Sequence, residues 1–148
     1  MSSTAELAAR YWDLYLQNRP SFASLIGEHH WDEEIEDLSE DARHRHARAL
    51  RSLAKEVAAA DGNDDPISHT LLDYMISADL TEAETQVILW PIDPNIGIHS
   101  ETLRFAAQTK ALEPGHARSL ARRYGRIPTM LAQALERHRR LASRGLTP

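Results

Sequence analysis

The chain has no cysteine. Disulfide frameworks and thiolate metal sites are therefore excluded, and a reducing compartment is allowed. No apolar run approaches the roughly 18 residues that a membrane span needs. The opening MSSTAELAAR has no basic stretch followed by an apolar one, so no signal peptide is visible. The expectation is a soluble, cytoplasmic chain with no membrane partner. Also missing are alternating apolar runs of strand length, a G-x-S-x-G elbow, a phosphate-cradling glycine loop, and any Ser/His/Asp set that could be ordered into a triad. No residue is assigned a catalytic role.

What is present suits a single helical domain over residues 1–148, with 42% hydrophobic and 26% charged residues. The net charge of -5 is unevenly spread: residues 1–80 hold 16 acids against 7 bases, and residues 81–148 hold 6 against 10. Such polarity suits two surfaces that face each other or face different partners. The later arginines (Arg118, Arg122, Arg123, Arg126, Arg137, Arg139, Arg140, Arg144) carry no interleaved aromatics and no base-reading motif. They read as a solvated basic face, and no nucleic-acid partner is expected.

The pattern predicts an all-α bundle of about six or seven helices with two irregular loops, 28–38 and 90–99. Ser3 and Glu6 form a capping-box signature for a first helix over about 5–18, with Leu7, Tyr11, Leu14 and Tyr15 on one face. Pro20 opens a short second helix that Gly27 ends. Ser39 starts a third, to about Ala60, with Ala42, His46, Ala49, Leu50, Leu53 and Val57 inward. Asp65-Pro66 starts a fourth, reaching about Leu89 without a break at Thr81, with Ile67, Leu71, Met75, Ala78, Val87 and Leu89 apolar. Ser100 caps a fifth, to about Leu112. Pro114 opens a sixth with Ala117, Leu120, Ala121 and Tyr124 on one face. Pro128 opens a seventh, to about Ser143, with Leu131, Leu135, His138 and Leu141 facing in.

Eight histidines invite a metal site, but none are paired at i, i+4 as a helical ligand pair requires. His44 and His46 point to different sides of a helix. His29 and His30 need ligands from elsewhere. Glu113-Pro114-Gly115-His116 looks like the tail of a zinc-peptidase signature, but the leading histidine is missing, and a helix start explains the proline. No metal and no cofactor are expected in this chain.

The segment PSFASLIGEHHWDEEIEDLSEDA resembles the N-terminal part of a large bacterial family, domain of unknown function 885. Its members often read P-x-x-A-T-x-x-G-(D/E)-H-R-Y-D here. Gly27, Glu28, His29 and Asp32 stand at the matching positions, with His30 for the arginine and Trp31 for the tyrosine. WPIDPNIG and the closing SRGLTP resemble later stretches of the same family. The resemblance implies a likeness to helical zinc metallopeptidases, whose H-E-x-x-P-G-H-H element holds zinc well downstream. Residues 1–148 contain no such element. The resemblance then implies a module that shapes a substrate cleft and is not catalytic alone, completed by a C-terminal half that acts on peptides. On that reading Glu28, His29, Trp31 and Asp32 bind substrate: the acids recognise a cationic group or orient His29, and Trp31 is an apolar wall. The alternative is a non-enzymatic helical binding or scaffold protein that self-associates as a homodimer.

Overall fold

The computed structural model describes residues 2–85 and 97–145. Among these the chain is all-α: α1 (Thr4–Asn18), α2 (Pro20–Leu25), α3 (Glu40–Ala59), α4 (Pro66–Thr85), α5 (Ile98–Gln108), α6 (Pro114–Gly125) and α7 (Ile127–Ser143). No described residue lies in a strand. No described helix is long and apolar enough to cross a membrane. The chain packs as two compact units, one from residues 1–15 and 41–87, the other from 16–40 and 88–148.

In the first unit α1 opens on the capping box. The Ser3 amide donates to Glu6 Oε2 at 3.0 Å and the Glu6 amide to Ser3 Oγ at 3.2 Å. Thr4 is tied down further, its amide and hydroxyl donating to the two oxygens of Asp64 at 2.8 and 2.6 Å. Asp65 begins α4 by accepting the Ser68 amide at 3.1 Å, with Pro66 in the first turn where its missing N–H costs nothing. Leu7, Tyr11, Leu50, Leu53, Val57, Leu72 and Ile76 form the core. On α4, Leu72 and Ile76 are the buried residues, while Ile67 and Leu71, two of the apolar residues named from the sequence, are exposed. The apolar residues of α4 lie nearly all round it, so periodicity alone does not select a face. The helix runs unbroken through Thr81 to Thr85, and the expected extension to Leu89 falls outside the described residues.

In the second unit α2 ends in a Schellman turn. Gly27 has φ +91, its amide donates to Ser24 O at 3.2 Å, and the Glu28 amide to Ala23 O at 2.9 Å. The expected loop 28–38 contains one turn of 3-10 helix, His29–Trp31. The other expected loop, 90–99, has residues 90–96 outside the described part, and its last two residues differ from the expectation because α5 already begins at Ile98. Gly97, in extended backbone, serves as the entry residue, and the Glu101 amide donates to its carbonyl at 2.9 Å, so Ser100 is already inside the helix.

The inward faces of α6 and α7 differ from the apolar ones expected. On α6, Leu120 and Arg123 are buried while Ala117, Ala121 and Tyr124 are exposed. On α7, Met130, Ala134, Arg137 and Leu141 are buried, while Leu131 and Leu135 are exposed. Each helix is rotated so that an arginine points inward, which the apolar count had no means of weighing.

Candidate functional site

The segment from Glu28 to Leu38 carries six of the chain's 22 acidic residues, and in the second unit it is held along its length. Glu36 reaches the start of α2, accepting the Ser21 amide at 3.0 Å and the Ser21 hydroxyl at 2.9 Å. Glu33 pairs with Arg122 at 2.5 Å and accepts the Ser119 hydroxyl at 3.2 Å. Glu34 pairs with Arg126 at 2.5 Å. Gln133 on α7 clamps the far end, donating to Asp37 at 2.9 Å and accepting the Leu38 amide at 3.0 Å. The acid-rich 28–38 segment thus supplies one surface, and Arg122 on α6 with Arg126 just after it supply its counterpart. Exposed pairs of this kind contribute about 0–1 kcal/mol each, so they set register more than stability.

The stronger tie is Arg123, only 2% exposed. Its Nε donates to Glu34 O at 2.6 Å. Its Nη2 is spread over Trp31 O at 2.6 Å, Ser24 Oγ at 2.7 Å and Pro20 O at 3.2 Å. One guanidinium therefore joins α6, α2 and the 3-10 turn. Burial lowers its hold on its proton, and the charges of Glu36 and Asp32 work against that shift. Arginine stays charged even so, and a charged donor makes the stronger hydrogen bonds.

From Arg123 the network runs to Asp32. The Ser24 hydroxyl accepts from Arg123 and donates to Asp32 Oδ1 in a short contact. Asp32 is 3% exposed, and its other oxygen, Oδ2, lies 2.9 Å from His29 Nδ1. A carboxylate can only accept, so His29 donates through Nδ1, and the neutral ring presents its lone pair at Nε2. Against the face of His29 lies His116, with ring centroids 3.8 Å apart and planes 15° from parallel. His116 Nδ1 is buried without a hydrogen-bond partner.

Of the four residues expected to bind substrate, Glu28 is exposed, His29 and Trp31 are half-buried, and Asp32 is buried behind His29. The structure adds Ser119, together with His116, read from the sequence as part of a helix start, and Arg123, expected on a solvated basic face but buried. They recur at i, i+3 and i+7 on α6, the spacing of one helix face. A polar stripe at that spacing was the available signal.

The family model described as "Bacterial protein of unknown function (DUF885)" matches residues 20–148. No curated protein and no solved structure matches the chain.

Proposed function

Because the chain belongs to the DUF885 family, we propose that it is a helical module of a metallopeptidase-like hydrolase, shaping a substrate cleft without catalysing alone. Glu28, His29 and Trp31 form the substrate-facing part of the 28–38 loop. Glu28 offers charge to a cationic group, Trp31 an apolar wall, and His29 the Nε2 lone pair. Asp32 acts through His29, fixing its tautomer and ring plane. The supporting observation is the buried Arg123–Ser24–Asp32 chain, which holds a partly exposed histidine in one orientation. A binding loop on a rigid support uses such an arrangement directly. In an active hydrolase containing this module, His29→Ala lowers kcat/KM at least about tenfold, roughly 1.4 kcal/mol, with little loss of thermal stability. Unchanged turnover removes the substrate-facing role.

A second reading is favoured by one observation. Ile67, Leu71 and Tyr74 form an i, i+4, i+7 row on α4 and are 83%, 55% and 70% exposed. Such a row suits self-association of a non-enzymatic helical protein. Sedimentation separates the readings: a dimer that Leu71→Glu dissociates supports the second, and a monomer at all concentrations removes it.

A further inference from the structure

We propose that His29, Asp32 and His116 form a binding site for a divalent first-row transition-metal ion, zinc being the natural probe. One imidazole nitrogen from each histidine and one carboxylate oxygen lie within 4.8 Å of one another. Two imidazoles and a carboxylate are a borderline donor set that suits zinc and its neighbours and leaves a position open. The site is distinct from the downstream H-E-x-x-P-G-H-H element that the family resemblance implies, since every ligand comes from residues 29–116.

Three features of the site point the same way. The first is the His116 Nδ1, buried without a hydrogen-bond partner. Buried polar nitrogens are nearly always satisfied, and an exception calls for a ligand or an ion. The second is spacing. His29 Nδ1 and Asp32 Oδ2 are 2.9 Å apart; the ion takes the place of the Nδ1 proton between them, which is released to solvent, and two adjacent ligands on one zinc ion, each bound at about 2.0–2.1 Å, are separated by about 3 Å. The third is support. Asp32 is oriented through its other oxygen by Ser24, which Arg123 holds in turn, as outer partners commonly orient a metal-bound carboxylate. The charge of Arg123 is engaged by the carbonyls of Pro20, Trp31 and Glu34, not by Asp32 directly.

The two rings lie nearly parallel, 15° apart. Binding turns the two rings so that a nitrogen of each converges with the carboxylate. The 30% exposure of the His29 side chain leaves room for that turn and a path for the ion.

This inference stands apart from the substrate-facing role of the loop, because it is read on the chain alone without any turnover. The experiment is calorimetric titration of the full chain, carrying no histidine tag, with zinc chloride. The expected result is one saturable site per chain, weakened at least about tenfold in His116→Ala and in His29→Ala. A distant control, His44→Ala, leaves it unchanged. Circular dichroism confirms that each variant is folded, and cobalt(II) provides a readout that stability does not move. Visible d–d bands appear with the wild-type chain and are lost with His116→Gln, which keeps a polar side chain of similar length. Saturable zinc uptake indifferent to both histidine substitutions, or no saturable uptake by the wild-type chain, overturns the proposal.

Discussion

Arg123 decides more than any other single residue. Its guanidinium satisfies three backbone carbonyls and one hydroxyl drawn from two other elements. Arg123→Met would leave those acceptors buried and unpaired, with Asp32 short of a compensating charge. The expected loss is about 3 kcal/mol in urea unfolding, because removing one partner of a buried charged network costs far more than an exposed pair contributes. Arg123→Lys restores the charge but not the planar fork, and recovers less than half. By contrast Arg122→Ala, which removes an exposed pair with Glu33, costs under about 1 kcal/mol. Glycine matters at two positions. Gly27 sits at φ +91 in the turn that launches the loop, and Gly27→Ala costs about 1 kcal/mol. At Gly62 a Cβ would also come within 2.6 Å of the His69 ring, so Gly62→Ala costs more than Gly27→Ala. Equilibrium unfolding of the two variants side by side checks that order.

At the scale of elements, the helix starts were legible because they are local chemistry. Ser3 with Glu6, Pro20, Asp65-Pro66 and Pro114 each announce a first turn in a few residues, and each begins a helix where expected. Inner faces were legible only where apolar and polar residues separate cleanly. On α3, Leu50, Leu53 and Val57 are buried as the spacing predicts. On α6 the inner face includes His116, Ser119 and Arg123, and no apolar count selects it. The 28–38 loop was recognisable as special from its composition. That Asp32 is buried while Glu28 is exposed was not, because it depends on Ser24 and Arg123, which lie 8 and 91 positions away. The N-terminus of α1 carries its own test. Hydrogen bonds from the Thr4 hydroxyl, then its amide, lower the pKa of Asp64. A carboxylate lowered on folding stabilises fully above its unfolded value, ~3.9, and loses that contribution as pH falls through the folded value. Acid unfolding therefore steepens below the ordinary carboxylate range, and Thr4→Ala flattens that part of the curve while leaving the rest in place.

At the scale of the molecule, the chain is two compact units, each with its own means of cohesion. The first is apolar at heart, centred on Leu7, Leu50, Leu53, Val57 and Ile76. The second carries buried charge, with Asp32, Arg123 and Arg137 all buried. Charge asymmetry along the sequence is partly resolved inside the second unit, where Glu33, Glu34 and Glu40 meet Arg122, Arg126 and Arg140. Raised salt should therefore loosen its surface pairs, while the Arg123 network, withdrawn from solvent, responds less. The account as a whole depends on one long-range meeting, that of His29 in the acidic loop with His116 at the start of α6. Nuclear Overhauser contacts between their ring protons measure it directly. With ring centroids 3.8 Å apart, the account predicts cross-peaks in the native chain that disappear in Arg123→Met. Well-resolved histidine rings with no cross-peak between them would contradict it.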